Sequence, residues 1–297
     1  MKNTLNYLNK ETVLQFNKFK DKIFVIKYGG SIMNNEIAQK AFIEDILFLA
    51  STGIKIVIVH GGGPEISKWL KKTGIENKFV KGLRVTDSNT MEIVEMVLSG
   101  KINKNLSFKL SQKGLKSVGI SGKDNNLIKS KKKIVYDNGN VLDLGFVGEI
   151  VSINKELLVT MINNNYIPVI SPIGCDEEGN SYNINADHAA AFISGTLKSE
   201  KLLVMTDVEG VYKNINDYST LLPSININEI KEFTKLGIIN GGMIPKMECC
   251  INAINKGTKN VHLVDGRKKH SLLLSITTNC GTKIIKMKGE TPCQKII

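Results

Sequence analysis

The chain has 297 residues, 42% of them apolar and 23% charged, an ordinary globular composition long enough for one large core or two lobes. No stretch approaches the roughly 18 apolar residues of a membrane span, and the start MKNTLNYLNKETVLQF lacks the apolar core of a secretory signal, so the expectation is a soluble intracellular protein with no membrane partner. The formal charge of +12 is spread along the chain with few aromatics beside it, which argues against nucleic acid, and the five cysteines and four histidines lack disulfide or zinc spacing, so reduced thiols and no protein-bound metal are expected.

Residues 4–20 show helical periodicity in Leu5, Leu8, Val13, Phe16 and Phe19, and lead into the buried strand pattern IFVIKYGG. Lys27, Gly29 and Gly30 close that strand, at the strand end where open α/β sheets place their ligands. Glycine there lets backbone N–H groups approach a phosphate, and Lys27 adds a mobile positive charge. A tight turn beside a surface lysine would read the same way. A helical stretch, EIAQKAFIEDILFLAST, is followed by the strand IKIVIVH and a helix starting near Pro64. Between the last two, Gly61, Gly62 and Gly63 form a run that turn geometry alone hardly explains, and that makes a concave nest of N–H groups for phosphate or carboxylate. Neither glycine cluster matches GxxxxGK[ST] or GxGxxG, so a Walker loop and a standard dinucleotide site are disfavoured. His60 reads as a packed strand-end residue rather than a base.

In GLRVT, Arg84 sits in a polar turn where a guanidinium can grip a carboxylate. A long helix near 89–112 and the strand SVGIS follow. Lys131, Lys132 and Lys133 read as a solvated hairpin edge, and Asn138 and Gly139 as a hairpin turn within KIVYDNGNVLDL. After the buried strand IPVIS, the segment NINADHAA places Asn183, Asn185 and Asp187 at the opening of an alanine-rich helix. Asp187 is either a functional carboxylate or that helix's cap. The second half gives a strand KLLVMT, helices near 228–237 and 244–256, and strands near NVHLV and TKII. In NGGMIPK, Lys246 falls in the first turn of a helix, where the dipole disfavours a cation unless an anion binds there. The alternation of strands and helices predicts a parallel sheet covered by helices, with a lobe boundary near residue 185.

The inventory is two lysines, two glycine nests, one arginine and one carboxylate, with no evident general base. A carboxylate nucleophile needs none, because its reference pKa of about 4.3 leaves it ionised at pH 7. Phosphoryl transfer demands mainly positioning and neutralisation of spreading charge.

In the order VIKYGGS, VIVHGGGPE, GLRVT, GKDNNLI, GFVGE, NINADHAA, TDVEGVY, NGGMIPK and HLVDGRKKHSLLL, the chain resembles the acetylglutamate kinases of the amino acid kinase superfamily from residue 23 almost to its end. The resemblance implies a three-layer α/β/α sandwich around a mainly parallel sheet. Residues 1–20 would form a helical extension, 21–185 the acetylglutamate-binding and dimerisation lobe, and 186–297 the ATP lobe. It implies transfer of the ATP γ-phosphoryl group, with Mg²⁺, to N-acetyl-L-glutamate in arginine biosynthesis. Lys27 and Lys246 would stabilise the transferring group and Asp187 would hold both lysines. Gly62, Gly63, Arg84 and Asn183 would hold the amino acid, while Gly29, Gly30 and Gly62 would face the phosphoryl oxygens. The ATP base would lie beyond Thr206 and Asp207.

The N-terminal extension resembles the helix by which arginine-inhibited members interlock dimers into hexamers, and HLVDGRKKHSLLL resembles their arginine segment, with His262 and Gly266 as contacts. Ser275 stands where an acidic residue is expected, and the segment before Gly281 is shortened. The implied partners are a second copy of the chain at least, L-arginine as an inhibitor and a PII-type nitrogen signalling protein, in a cytoplasm or a plastid stroma. The rivals are another superfamily member acting on carbamate, aspartate, glutamate or a nucleoside monophosphate, and a regulatory protein that keeps the fold without turnover.

Overall fold

The computed structural model describes residues 10–137, 139–278 and 280–286. Its framework is an eight-stranded sheet built from β1 (Ile23–Tyr28), β2 (Lys55–His60), β3 (Ser117–Ser121), β4 (Ile167–Ser171), β5 (Lys201–Thr206), β6 (Ser224–Asn226), β7 (Asn260–Asp265) and β8 (Thr282–Ile285). Their order is β6-β8-β7-β5-β1-β2-β4-β3, and every neighbour pair is parallel except β7 with β8.

The strands read as unbroken apolar runs because both faces are covered, and the two-residue period of a strand sorts their side chains between two cores. Val25, Val57, Val59, Leu202 and Val204 point to one face, where they meet Leu158, Ala189, Ile193, Cys250 and Ala253. Those partners come from α6 (Lys155–Asn163), α7 (Ala186–Thr196) and α9 (Met243–Asn255). Phe24, Ile26, Ile56, Ile58, Leu203 and Met205 point the other way, onto Phe16, Phe42, Ile46, Leu106 and Leu272. These belong to α1 (Lys10–Asn17), α2 (Glu36–Ser51), α5 (Asn103–Ser111) and α10 (Ser271–Thr277). The expected three-layer α/β/α sandwich is what the chain forms. The other described α-helices longer than one turn are α3 (Gly63–Lys72), α4 (Ser88–Glu95) and α8 (Ile227–Lys235), and a single helical turn, Gly30–Met33, follows β1.

The apolar face of α1 packs on its own chain: Phe16 is fully buried, edge-on to Phe48 at 5.0 Å between ring centroids. Leu5 and Leu8, also part of the predicted periodicity, lie outside the described residues. The long helix expected near 89–112 is present but not uniform, since α4 passes through a π-helical segment, Met96–Ile102, before α5 resumes the ordinary pitch. Such wide turns insert an extra residue and are concentrated at functional sites.

A second sheet, ordered Ser181–Asn183, Ile173–Cys175, Ile128–Lys132 and Gly148–Ile153, lies beside the C-terminal ends of the central strands. The expected solvated edge holds for Lys131 and Lys132, which are exposed and pair in the sheet only with Glu149 and Gly148, and is corrected for Lys133, which turns to line a cavity. The expected hairpin joins Val135–Asp137 to Asn140–Leu142 with Gly139 at φ 83°, a conformation open to glycine; Asn138 lies outside the described residues. Cys175, Cys249, Cys250 and Cys280 are free thiols, and Cys293 is outside the described residues. No described helix is long and apolar enough to cross a membrane.

Candidate active site

The period that sends Phe24 and Ile26 to one face sends Lys27 to the other, with Val25, so that its side chain faces α7. Lys27 pairs in register with Val59 on one side and Val204 on the other, at the carboxyl end of the sheet. The start of α7 is fixed by Asn185, whose Oδ1 accepts from the backbone N–H of Asp187 at 2.8 Å and of His188 at 3.2 Å. This settles the reading left open for Asp187: Asn185 is the cap, and Asp187, in the first turn, is free to point at the lysines. Lys27 Nζ lies 3.0 Å from Asp187 Oδ1 and Lys246 Nζ lies 3.2 Å from Oδ2.

Burial by itself would raise the Asp187 carboxyl, but the charges and hydrogen bonds of Lys27 and Lys246 outweigh it and bring it down to about 2. Burial would lower the Lys246 ammonium, and the Asp187 charge reverses that into a rise. One carboxylate therefore neutralises half of a doubly positive cluster. The excess positive charge sits at the first turn of α9, where only an anion would relieve it.

Opposite the lysines stand the glycines. A side chain on Gly29 would meet the Met205 carbonyl oxygen at 2.6 Å, and one on Gly62 would meet Leu98 Cδ2 at 2.4 Å and Ile102 Cδ1 at 2.5 Å, so both are held to glycine by close approach. The first turn of α3, beginning at Gly63, presents N–H groups that have no partner within the helix. Arg84, buried on the short strand Leu83–Arg84, donates from Nη2 to the Gly63 carbonyl at 3.1 Å and to Ser67 Oγ at 3.2 Å, and from Nη1 to Asn77 Oδ1, with Phe79 stacked 4.7 Å away. Among the described residues no carboxylate pairs with it, and burial lowers the guanidinium only to about 10, which leaves it charged. Asn183 Nδ2 donates to Thr86 Oγ1 at 3.2 Å.

Lys27, Gly30, Gly62, Gly63, Arg84, Asn183 and Asp187 line one cavity of about 680 Å³. Gly29 lies just behind it, and Lys246 joins through Asp187. Lys133, Glu149, His188 and Cys249 also line the cavity and were not anticipated. Burial, then the Lys133 charge, holds the His188 imidazole below its ordinary value, and burial pushes the Cys249 thiol up to about 12. Glu149 and His188 stand within the motifs GFVGE and NINADHAA, but nothing in the order of the chain shows that the strand Gly148–Ile153 faces α7, and Lys133 and Cys249 carry no sequence signal. Ser67 and Asn77, which hold Arg84, were missed for the same reason.

The remaining predicted residues do not line that cavity, although the Asp207 charge adds to the rise of the Lys246 ammonium. Thr206 is buried at the end of β5, donating to Asp207 Oδ1 at 3.1 Å, while its carbonyl accepts from Gly266 N–H at 2.9 Å. Gly266 is packed against Ile32, where a side chain would collide at 2.6 Å. His262 is four residues back along β7, buried and with Nδ1 unpartnered, so the structure does not bring His262 and Gly266 together. His262 instead faces the buried Lys201 and Lys283, and burial followed by those charges lowers its imidazole to about 4.

Residues 22–265 match the model of the amino acid kinase family. The chain is 52% identical over 288 residues to the acetylglutamate kinase of Clostridium acetobutylicum, covering 97% of each chain. It is 50% identical over 275 residues to that of Methanococcus vannielii, covering 91% of this chain and 94% of the other. Among solved structures, N-acetylglutamate synthase from Neisseria gonorrhoeae complexed with coenzyme A and N-acetyl-glutamate superposes with a TM-score of 0.80 at 21% identity, over 94% of this chain and 63% of that one. Carbamate kinase from Giardia lamblia bound to AMP-PNP gives 0.64 at 19% identity, over 90% and 99%. At such identities the superpositions speak for the fold.

Proposed function

The chain belongs to the amino acid kinase family and groups within it with the acetylglutamate kinases, and from that premise we infer how its cavity works. The reaction is transfer of the ATP γ-phosphoryl group to the side-chain carboxylate of N-acetyl-L-glutamate, giving N-acetyl-L-glutamyl 5-phosphate. The observation that carries the residue assignment is the Lys27–Asp187–Lys246 cluster facing a glycine nest and an unpaired buried arginine across one cavity. Arg84, Gly63 and Asn183 hold the amino acid. Its ionised side-chain carboxylate attacks the γ-phosphorus without a general base, a new P–O bond forms, and the bond to the bridging oxygen breaks to release ADP. Lys27 and Lys246 follow the charge that spreads over the transferring oxygens, with Gly29, Gly30 and Gly62 N–H groups as donors. Asp187 keeps the two ammonium groups apart by a fixed distance and so preorganises them.

Mg²⁺ is assigned to the nucleotide rather than to a resident site in the protein. Mg²⁺, when bound, neutralises β- and γ-phosphate charge. The nucleotide base is assigned to the second lobe, residues 186–297, beyond Thr206 and Asp207. The test is ATP turnover with Mg²⁺ on N-acetylglutamate, glutamate, aspartate and carbamate, with hydroxylamine as the trap. A hydroxamate formed only with N-acetylglutamate is expected; product with another acid alone would move the acceptor assignment.

For regulation, we assign L-arginine to the face of β5 and β7 beside α1. Lys201 is buried there with no carboxylate partner among the described residues, held down to about 8 by burial and by Lys283, and His262 Nδ1, also without a partner among the described residues, is adjacent. Arginine's carboxylate would relieve that charge. Millimolar arginine should inhibit, and Lys201→Met should raise the half-inhibitory concentration about 10-fold or more with basal turnover intact, as expected for losing a charge-assisted bond. Unchanged activity in arginine rejects the site. The chain is taken to be a homo-oligomer, a dimer at least and a hexamer if residues 1–20 interlock dimers, which light scattering of the chain with and without that extension decides. A PII-type partner belongs to the same proposal. The matched relatives named above are bacterial and archaeal, which favours a cytoplasmic over a plastid setting.

A further inference from the structure

His60 and Asn103 are both fully buried beneath the glycine nest, and neither has a part in the transfer as described. Asn103 Nδ2 lies 2.8 Å from the Val169 carbonyl oxygen, 3.2 Å from that of Ile120 and 3.1 Å from His60 Nε2. Two carbonyl acceptors require that the amide nitrogen, and not its oxygen, face this cluster. The two amide hydrogens are shared among these three acceptors, and because an amide nitrogen cannot accept from an imidazole N–H, His60 Nε2 must be the bare nitrogen, so the imidazole proton resides on Nδ1. Nδ1 then donates to the Gly61 carbonyl oxygen, 2.9 Å away. The peptide between Gly61 and Gly62 is planar and trans, so its N–H points opposite to its C=O.

We propose that the His60–Asn103 pair is a positioning device for the reaction: it fixes the Gly61 carbonyl toward the sheet and thereby turns the Gly62 N–H toward the cavity, ready for the transferring phosphoryl oxygens. The inference rests on the reading of Gly62 as such a donor. The other half of the device is the π-helical segment Met96–Ile102. It supplies Leu98 and Ile102, whose methyl groups occupy the space a Gly62 side chain would need, and its wider turn delivers Asn103 directly after it. Gly61 is pinned at its other side as well, its N–H donating to the Tyr28 carbonyl at 3.0 Å. The Gly61–Gly62 peptide is thus held through its own carbonyl by His60, while the preceding peptide is tied to β1 and the Gly62 Cα is confined by Leu98 and Ile102. Complete burial keeps the imidazole neutral, lowering it to about 4, so the donor on Nδ1 is present throughout the working pH range.

The measurement is imidazole ¹⁵N NMR of the histidine-labelled protein together with steady-state kinetics of three variants. In the unsubstituted protein His60 should show a protonated Nδ1 and a bare Nε2, and a reversed tautomer overturns the proposal whether or not any variant folds. His60→Gln, which reaches the Nε2 position but not Nδ1, and Asn103→Leu should each lower kcat about 10-fold, with KM for both substrates within about twofold, on the scale of a weakened oxyanion donor. His60→Asn, whose amide sits where Nδ1 does, should recover most of that loss. Equal loss in His60→Asn and His60→Gln, with a parallel fall in thermal midpoint, would mean a packing role alone. A shift of the Gly62 amide resonance in His60→Gln with kcat unchanged would also overturn the proposal, and would place the fault in the donor role of Gly62 rather than in the tautomer.

Discussion

Lys27→Ala and Lys246→Ala should each reduce turnover with N-acetylglutamate by about 10²- to 10³-fold or more, the loss caused by removing one preorganised donor to a developing oxyanion, or about 2.7–4 kcal/mol. The structure gives the reason for expecting both to matter. The two ammonium groups reach Asp187 at 3.0 and 3.2 Å on different carboxylate oxygens, one from the end of β1 and one from the first turn of α9, so they approach a common anion from two directions. Neither can substitute for the other. Lys27 is also the more enclosed, its side chain 10% exposed against 24% for Lys246, which makes Lys27→Ala the more damaging of the two. Lys27→Met, which keeps the aliphatic stem, separates charge from packing. A turnover as low as that of the alanine variant with a normal thermal midpoint is expected, and a normal rate in either alanine variant removes the catalytic assignment.

Asp187 has its own pH signature. With its carboxyl held near 2 in the folded chain, below the ordinary 3.8, its pairing contributes stability that is fully present above about pH 4. That contribution is lost as the pH falls through about 2. Asp187→Asn removes this part of the acid transition and leaves two ammonium groups repelling each other, so its turnover should fall while its stability changes less steeply with pH in that window, the other paired carboxylates still contributing.

The fold was legible because β1, β2, β4 and β5 are short β-branched and aliphatic runs spaced by helical periodicity, a pattern that only a sheet covered on both faces satisfies. Lys27, the glycine clusters, Asp187 and Lys246 were legible for a related reason: each breaks the local pattern at a strand end or helix start, and position in the chain already implies position on the sheet's carboxyl edge. Residues that act across elements left no such mark. Lys133 looked like the third of three solvated lysines, and Lys201 like the polar start of a strand. Asn103 is indistinguishable from a surface asparagine on a helix, since only the wider turn at Met96–Ile102 rotates it inward. The choice between Asp187 as cap and as functional carboxylate needed the Asn185 geometry, because both residues are good caps by type.

Arg84→Met should raise KM for N-acetylglutamate about 10²-fold with a smaller change in kcat, because in the proposed assignment the guanidinium binds the part of the substrate that does not react. Arg84 spends bonds on Gly63, Ser67 and Asn77 and stacks on Phe79, so its plane is fixed before substrate arrives. Yet a buried cation with no carboxylate partner among the described residues is an unfavourable arrangement for the empty protein. The substrate's carboxylate relieves it, and two charge-assisted hydrogen bonds worth about 1.5 kcal/mol or more each give the factor expected. Arg84→Lys should not rescue binding, since a point charge cannot reproduce the three fixed contacts that aim the fork. Thermal shift provides a readout apart from activity. N-acetylglutamate at about 100 times its dissociation constant should stabilise the unsubstituted chain by about 2.7 kcal/mol, and the methionine variant at that concentration by a small fraction of this. An unchanged KM and an unchanged thermal response would move the amino acid away from Arg84 and leave that buried charge to be explained by another anion.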